Sequence, residues 1–349
     1  MYMCARPKFN GKEMDEKSDF TETIASLLTM GLITAEESPS LTSLAGGVSA
    51  DIVVAKTKLG MVCVKRTLPA LKVAQEWCAP QSRGNAEKDW IRLVATFLPG
   101  AVPEIIGEDS ERFTFAMRYL DPITFKNWKT LLRDGEANEI VAAQIAGLLG
   151  KIHERTAHDS TVAAAFANDE NFAALRLDPY LETAARAQPD VADILRGLIA
   201  RTARTKEALV HGDFSPKNIL IGPDGPVILD AECAWYGDPA FDVAFCLNHL
   251  FLKSAWKPGY AASYQRCAAA FWNTYKAALH RLDQMALEDR VVTLLPGLML
   301  ARIDGKSPVE YLVDPNIVAR VRAFAKRKLI KPEKTVPDLI GAWNKEFIQ

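Results

Sequence analysis

The sequence lacks three features that would each define a class of protein. No stretch of its 349 residues approaches the roughly 18 uninterrupted apolar residues of a membrane-spanning helix, and its N-terminus has no apolar core typical of a secretion signal. Its 6 cysteines form no CxxC pair, which argues against a zinc site and is typical of reduced thiols. We therefore expect a cytoplasmic protein that does not contact a membrane.

The sequence also has no excess of charge of one sign. Lys and Arg total 42, Asp and Glu total 43, and the formal net charge is −1. This balance gives no electrostatic reason to expect a nucleic acid as partner. The apolar content of 49% is sufficient for a buried core, and the length suggests two domains at roughly 150 residues each. We expect a monomer or a homodimer.

The apolar pattern changes from strands to helices along the chain. β-Branched residues interrupted by turn residues predict five strands, at residues 41–46, 51–57, 61–67, 104–107 and 112–117. A helix is predicted at residues 84–98, and helical stripes dominate from Glu136 onward. We predict an α+β fold with a small β-rich N-terminal lobe, built on a five-stranded antiparallel sheet, and a larger, mainly helical C-terminal lobe. The predicted ranges are 1–117 for the first lobe (with 1–19 frayed), 118–122 for a hinge and 123–349 for the second lobe.

The most informative segment is HGDFSPKN, residues 211–218. An apolar strand leads into it, Asn218 follows Asp213 by five positions, and another strand follows at once. A further apolar strand then ends in Asp230 and Glu232. Loops at the ends of a rigid hairpin are where catalytic groups can be positioned accurately.

Phosphoryl transfer accounts for each of these residue types. A carboxylate must orient the attacking hydroxyl and accept its proton, and Asp213 suits this role. Magnesium commonly combines one or two carboxylates with phosphate oxygens; Asn218 and Asp230 are its predicted ligands, and Glu232 would add an oxygen directly or through a water. An HGD triplet alone is more often a simple turn, but the ordered set has the spacing of kinase catalytic loops. It predicts an enzyme that uses ATP and Mg²⁺.

At these residues the sequence resembles the superfamily of aminoglycoside phosphotransferases and choline kinases, which has a protein-kinase-like fold. HGDFSPKN is similar to the catalytic loop of that family, Asp230 of LDAE to its metal-binding aspartate, and residues 237–244 (GDPAFDVA) to the stretch that follows. The resemblance extends from about residue 40 to 255. It implies that Asp242 braces the catalytic loop by hydrogen bonding and that His211 is a structural residue of that loop.

Within this superfamily the chain resembles the 5-methylthioribose kinases. Residues 67–73 resemble the segment after the ATP-site lysine strand, residues 117–120 the hinge, and residues 230–237 the metal loop and its continuation. The sequence departs from that pattern in two respects. Asn218 stands where those enzymes lack the usual Asn, and of the paired arginines expected for a sugar site only Arg302 lies near a suitable position.

A glycine-rich turn and a lysine at a strand end are the candidates for nucleotide binding. Gly46, Gly47 and Ser49 lie where the first two predicted strands are joined. Backbone N–H groups there could approach phosphate, although a Gly-Gly turn is more often only a hairpin. Lys65 follows an apolar run near the end of the third predicted strand, like the kinase lysine that meets the α- and β-phosphates.

The other nucleotide contacts follow from that lysine and the hinge. An acidic partner for Lys65 is expected on the next helix, with Glu87 preferred and Glu76 as the alternative. The adenine is expected at the hinge backbone near Met117 and Tyr119. A plain strand and linker at the hinge is compatible with this role.

The acceptor site is expected in the helical lobe. Arg302 and Asp304 lie where polar, turn-forming residues interrupt a helix, and such a loop could either cover the cleft or simply end the helix. Ser215 and Trp235 are further candidates, although packing is the commoner role of a buried aromatic residue. Acids and bases are mixed in the C-terminal helices, which favours a neutral or weakly charged acceptor, sugar-like such as methylthioribose or an amino alcohol.

Three other functions compete with a small-molecule kinase. An aminoglycoside phosphotransferase would need an acceptor site rich in carboxylates, which this mixture of charges does not indicate. A protein kinase would need room for an activation loop, and only a short segment separates Asp230 from Asp242. A catalytically weak nucleotide-binding regulator would lack some of the key residues, but all are present, namely Lys65, Asp213, Asn218 and Asp230.

Overall fold

The first part of the chain forms a five-stranded antiparallel sheet, as predicted. The computed structural model of the protein describes residues 20–44, 49–69, 81 and 83–348. The strands of this sheet are β1 (Ser40–Ser43), β2 (Ala50–Thr57), β3 (Gly60–Thr67), β4 (Ile105–Asp109) and β5 (Thr114–Arg118). Their order across the sheet is β1-β2-β3-β5-β4, and all neighbours are antiparallel. β3 therefore lies at the centre.

The two faces of the central strand meet different surroundings. Two helices accompany the sheet, α1 (Thr21–Thr29) and α2 (Arg83–Ala95). Leu27 of α1 packs with Val62 and Val64 of β3 in a small apolar cluster. Because successive side chains of a strand point to opposite faces, Lys65 lies on the other face, which meets α2 and the rest of the protein.

Helices dominate the remainder of the described chain. They are α3 (Trp128–Arg133), α4 (Glu139–Thr156), α5 (Ser160–Ala165), α6 (Asp169–Phe172), α7 (Thr183–Ala187), α8 (Ala192–Arg204), α9 (Ala240–Trp256), α10 (Ala261–Ala277), α11 (Gln284–Asp304), α12 (Pro315–Ile330) and α13 (Val336–Phe347), with a π-helical segment at Ala173–Glu182. α9 is apolar on almost every side and is buried along nearly its whole length, as expected of a helix inside a core. It packs against α10 and α11, and α4 packs against α10.

Two small sheets interrupt these helices. Their strands are β6 (Lys126–Asn127), β7 (Ala208–Val210), β8 (Ile219–Gly222), β9 (Gly225–Ile228) and β10 (Trp235–Gly237). β7 pairs with β10, while β8 and β9 form a hairpin to which β6 adds. The Leu229 N–H donates to the Asn218 carbonyl across 2.9 Å, so the loop after β7 and the loop after β9 lie side by side.

Predicted and observed elements differ mainly at their ends. The helix predicted at 84–98 ends at Ala95, and Pro99 begins a separate 3₁₀ turn. The apolar pattern after Glu136 predicts no separate helix for α13 or for the π-helical segment that contains Pro179. Such a segment depends on i→i+5 hydrogen bonds, which no apolar period in the sequence reveals. The lobe boundaries remain predictions. None of the helices in the described ranges has the length and apolar character needed to cross a membrane.

The C-terminal helix gives a test of the core. The Trp343 ring is buried, lies 3.9 Å from the Phe347 ring between centroids, and donates its N–H to Ser254 Oγ across 2.8 Å. Trp343→Ala should lower the free energy of unfolding by about 3–5 kcal/mol, since it leaves a large cavity. Urea unfolding measures this change, with Met285→Ala at the exposed start of α11 as control. A loss as small as that of the control would contradict the packing described.

Candidate functional site

The loop after β7 is held by the carboxylate of Asp242. Asp242 Oδ2 accepts the N–H of His211 at 2.7 Å, and its Oδ1 accepts the N–H of Gly212 at 2.8 Å. His153 Nε2 on α4 lies 3.3 Å from Oδ2. All four residues are buried or lie in the buried loop. Asp242 thus sets the position of the backbone immediately before Asp213, as the family resemblance implied.

Gly212 is required by the shape of this loop. Its φ is +77°, and a Cβ built on it would lie 2.5 Å from the carbonyl oxygen of Cys233. Any side chain at this position would therefore combine an unfavourable backbone conformation with a collision against backbone. The close approach brings the loop after β7 against the loop after β9.

His211 links the same two loops. Its Nδ1 accepts the N–H of Asp213 at 3.1 Å, which assigns the proton to Nε2, and Nε2 then donates to the Leu229 carbonyl at 3.0 Å. Burial lowers the pKa of His211 against the opposing effect of Asp242, so the ring is neutral. This arrangement matches a structural rather than a catalytic role.

The Asp213 carboxylate is buried among positive charges. Its Oδ2 lies 3.0 Å from Asn218 Nδ2, 3.0 Å from Arg176 Nη2 and 2.9 Å from Lys217 Nζ. Burial alone would raise the pKa of Asp213, but the charges of Arg176 and Lys217 lower it to about 2. In the described part of the chain these contacts all end on Oδ2, which leaves Oδ1 to meet another molecule.

Arg176 was not predicted from the sequence. It lies in the π-helical segment, far from the HGD motif, and its Nε donates to the Gly212 carbonyl at 2.5 Å. A single arginine in an unassigned stretch carries no signal of this kind. Lys217 was also missed, although its place four residues after Asp213 and directly before Asn218 could have identified it.

Lys65 joins the sheet to the loop after β9. Its Nζ lies 2.8 Å from Glu87 Oε1 on α2 and 2.5 Å from Asp230 Oδ1. Burial alone would lower the pKa of Lys65, but the carboxylates of Asp230, Glu87 and Glu232 together raise it. The structure thus brings Lys65 and Glu87 together, whereas Glu76 lies outside the described residues.

Asp230 has an unusual backbone conformation. Its φ is +66°, and a non-glycine residue in this region carries strain that tends to occur at functional sites. Burial opposes ionisation, yet Lys65 and Lys217 lower the pKa of Asp230. Its side chain is 28% exposed, so the carboxylate is ionised and accessible.

Glu232 forms an ion pair with the N-terminal part of the protein. Its Oε2 lies 3.1 Å from Arg83 Nε on α2. Arg83 Nη2 also donates to the carbonyls of Ser49 at 2.8 Å and Leu68 at 2.5 Å. Ser49, which the sequence predicts to contact nucleotide, is therefore held in place by the hydrogen bond that its carbonyl accepts from Arg83. Gly46 and Gly47 lie outside the described residues.

The donor set suits magnesium if phosphate oxygens complete it. Among the described residues no cluster of three or more His, Cys, Asp or Glu side chains could hold a metal alone. Asp230 offers an accessible carboxylate, and Asn218 uses its amide nitrogen on Asp213, which leaves its oxygen for a cation. One carboxylate and few protein ligands are typical of magnesium bound with a polyphosphate. Glu232, paired with Arg83, could take part only through a water or by leaving that pair.

A cavity of about 190 Å³ opens beside Asp213. Tyr180, Phe245 and Tyr311 supply aromatic walls, and Arg302 also lines it. Arg302 is thus the one predicted acceptor residue that the structure brings to this cavity. The cavity lies beside the Asp213 carboxylate, whose Oδ1 can meet another molecule. The cavity is therefore the candidate acceptor site.

The other predicted acceptor residues have different surroundings. Asp304 forms an ion pair with Arg322, with contacts of 2.7 and 2.9 Å. The Trp235 ring stacks on Phe172 with 4.2 Å between centroids, and Ser215 is buried. Among the described residues that line the cavity beside Asp213, none of these three occurs. The sequence could not separate them from Arg302 because side-chain direction depends on tertiary packing.

The predicted hinge residues follow the central part of the sheet. Met117 pairs with Cys63 of β3 and with Ile105 of β4, and both Met117 and Tyr119 are half-buried. β5 therefore leads directly from beside Lys65 into the helical part, and the role of these two residues toward adenine remains a prediction.

Comparison with known proteins identifies related sequences and folds. The model of the phosphotransferase enzyme family (APH) matches residues 40–286. A methylthioribose kinase of Pectobacterium atrosepticum is 24% identical, over 65% of this chain and 65% of that protein. Methylthioribose kinase 1 of Oryza sativa subsp. japonica is 23% identical, over 58% and 53%. The chain thus spans only about half to two thirds of the length of these relatives.

Two solved structures share the fold. An amicoumacin kinase solved with AMP-PNP and Ca²⁺ has a TM-score of 0.53 and 14% identity, covering 95% of this chain and 93% of its own. Choline kinase from Cryptosporidium parvum Iowa II has a TM-score of 0.53 and 12% identity, covering 93% and 99%. At such identities the likeness concerns the fold alone, and it confirms the predicted α+β, protein-kinase-like architecture.

The glycine of the loop gives a test of this geometry. Gly212→Ala should lower the free energy of unfolding by at least about 1–3 kcal/mol, since alanine is strained at positive φ and meets the Cys233 carbonyl. Gly197→Ala is the matched control, because nothing lies within 4 Å of it on the exposed face of α8. The control should gain about 0.5–1 kcal/mol from helix propensity. Equal effects of the two substitutions in urea unfolding would show that the loop tolerates a side chain.

Proposed function

The chain belongs to the phosphotransferase enzyme family, and we propose that it transfers the γ-phosphoryl group of ATP to a hydroxyl of a small molecule in the presence of magnesium. The convergence of four side chains carries this proposal. Lys65 lies 2.5 Å from Asp230, although the two residues are 165 positions apart in the sequence, and Asn218 lies 3.0 Å from Asp213 in the neighbouring loop. Buried charges are costly to desolvate, so stability alone does not explain why so many of them lie together here.

Asp213 has the geometry of the group that meets the acceptor. Its Oδ2 is held by Asn218, Arg176 and Lys217, which leaves Oδ1 to accept a hydrogen bond from the acceptor hydroxyl. In the transfer, the hydroxyl oxygen bonds to the γ-phosphorus, the bond from phosphorus to the β,γ-bridging oxygen breaks, ADP leaves, and the hydroxyl proton passes to Asp213. A weakly basic carboxylate suffices, because orientation and charge stabilisation dominate catalysis of phosphoryl transfer.

Asp230 and Asn218 are the residues that would hold magnesium. When bound, the metal would offset the negative charge of the phosphate oxygens. Lys65 presents a cation beside Asp230 and suits a contact with the phosphates. Lys65 pairs with Asp230 in this structure. We therefore expect this ion pair to separate on ligand binding, with Lys65 contacting the phosphates and Asp230 contacting the metal.

The acceptor is proposed to be a small molecule that fits the cavity beside Asp213. Methylthioribose is the acceptor named for the relatives, and it is one of the acceptors expected from the sequence. Aminoglycosides and amino alcohols carry positive charge, and the cations lining the cavity disfavour them. A purely regulatory nucleotide-binding role is disfavoured by the intact set of Lys65, Asp213, Asn218 and Asp230. A cytoplasmic location and a monomeric or homodimeric state remain predictions.

Asp213→Asn tests the proposal directly. Turnover should fall by roughly 10²–10⁴-fold, since the amide cannot accept the proton, whereas the affinity for Mg-ATP should change little. The measurement is ADP release coupled to product detection, with sugars including methylthioribose, amino alcohols, aminoglycosides and hydroxy acids as acceptors. Asp224→Asn in the exposed β8–β9 turn makes the same chemical change and should leave turnover unaltered. Equal loss of turnover and of nucleotide affinity in Asp213→Asn would argue against its role as the acceptor-orienting base.

Metal dependence provides a second test. Removal of magnesium with EDTA should abolish transfer, and Asp230→Asn should raise the magnesium concentration needed for half-maximal rate, because it removes the accessible carboxylate. Titration of MgCl₂ at constant ATP measures this, again with Asp224→Asn as control. An unchanged magnesium dependence in Asp230→Asn would exclude Asp230 as a metal ligand.

A further inference from the structure

The cavity beside Asp213 contains more positive than negative side chains. The cations that line it are Lys129, Lys217, Lys253 and Arg302, and the carboxylates are Asp213 and Glu310. This surplus contrasts with the balanced charge of the whole chain. It therefore reflects the local arrangement around the cavity and not a basic protein.

Among the described residues, two of these four cations have a carboxylate partner. Lys129 Nζ lies 2.5 Å from Glu310 Oε1, and Lys217 Nζ lies 2.9 Å from Asp213 Oδ2. Each carboxylate of the cavity is thus used. Within the described ranges, Lys253 and Arg302 make no ion pair.

Lys253 is the more unusual of the two. Its side chain is 1% exposed, and its Nζ lies 4.7 Å from the centroid of the Tyr311 ring and 5.5 Å from that of Trp256. Its Nζ makes no hydrogen bond to any other described residue. Burial, followed by the charge of Lys129, lowers the pKa of Lys253 to about 8, so the amine is still mostly protonated at neutral pH. A buried, unpaired ammonium destabilises the fold.

Arg302 and Tyr311 have unused hydrogen-bonding groups. Arg302 Nη1 donates to the carbonyl and, at 3.0 Å, to the Oγ of Ser307, and its guanidinium lies over the Tyr180 ring. Its Nε is buried without a partner among the described residues, and so is the hydroxyl of Tyr311. Buried donors of this kind are normally satisfied.

The charges around His249 act in the same direction. Burial lowers its pKa well below the ordinary value, and the charges of Arg302 and Lys253 lower it further. The imidazole therefore stays neutral and adds no fifth cation. The environment disfavours additional positive charge and favours negative charge.

We propose that the acceptor carries an anionic group, a carboxylate or a phosphate ester, which binds to Lys253 and Arg302 while its hydroxyl meets Asp213. The inference rests on the proposed phosphotransferase function and names its substrate class. An anion would pair with both cations and could accept a hydrogen bond from the hydroxyl of Tyr311. Such an acceptor would be held at two ends, with its anionic group on Lys253 and Arg302 and its hydroxyl on Asp213. These two contacts would fix the orientation of the molecule in the cavity.

This class differs from the neutral or amino-alcohol acceptor expected from the sequence. A neutral sugar would leave Lys253 buried and unpaired, and an ammonium group would be repelled by it. The neutral acceptor was expected because acidic and basic residues are mixed along the C-terminal helices. The fold selects a few of those residues for the cavity, and the selected ones are mostly basic.

Binding of matched anionic and neutral probes tests the proposal without ATP. Isothermal titration at constant ionic strength would compare gluconate with sorbitol and ribose 5-phosphate with ribose, which separates the carboxylate from the phosphate source. At least one anionic probe should bind tenfold or more tightly than its neutral counterpart. Binding of both anions no tighter than that of the neutral probes would overturn the proposal.

Lys253→Met and Lys257→Met form the matched pair of variants. Both remove one positive charge from α9 or its C-terminus, but Lys257 lies one turn further on and does not line the cavity. Lys253→Met should lose the preference for the anion and should melt at a higher temperature, because an unpaired buried charge is removed. Lys257→Met should retain the preference. Equal loss of anion preference in both variants, or a lower melting temperature for Lys253→Met, would overturn the assignment.

The same probes in the ADP-release assay separate this inference from the proposed function. Tight anion binding without phosphoryl transfer to any acceptor would contradict the proposed function and support the anion site. Transfer to sorbitol or ribose at rates equal to those of the anionic probes would support the function and overturn the anion site.

Discussion

The buried carboxylate of Asp242 is the constraint on which the site depends. It accepts two consecutive backbone N–H groups, those of His211 and Gly212, which no secondary structure satisfies at that point. A buried backbone donor without a partner is costly, so the loop has essentially one arrangement. Asp242 lies in the first turn of α9, which is buried along nearly its whole length, so its hydrogen bonds fasten the backbone before Asp213 to the core.

Around this loop, opposite charges are paired across elements that are distant in sequence. Arg176 and Lys217 keep Asp213 ionised, and Lys65 does the same for Asp230. The ion pair of Lys65 with Asp230 joins the N-terminal sheet to the loop after β9, and that of Arg83 with Glu232 joins α2 to the same loop. The groups proposed to handle phosphate therefore also hold the two parts together, so ligand binding and their relative position should be coupled. Among the described residues, Lys253 is an exception to this pairing, and for this reason the proposed class of acceptor rests on the cavity and not on the sheet.

Much of the candidate site was predictable because its residues are close in sequence. His211, Asp213 and Asn218 share one loop, and Asp230 follows on the next hairpin, so a local pattern of strand, turn and strand brings them together. The order of Lys65 and Glu87 along a strand and the next helix likewise identified a pair that the structure brings into contact. Arg176 had no such pattern, since it reaches the loop only through the fold of a π-helical segment.

The amino-acid sequence by itself determined the five-stranded sheet, the helical remainder and the residues of the loop after β7, because hydrophobic period and turn chemistry act over short distances along the chain. It could not decide which charged residues of the C-terminal helices face one cavity. Arg302 and Asp304 are two positions apart, yet one lines the cavity and the other pairs with α12. Residues two apart point to different sides of a helix, and only packing of that helix against its neighbours determines which side meets the cavity.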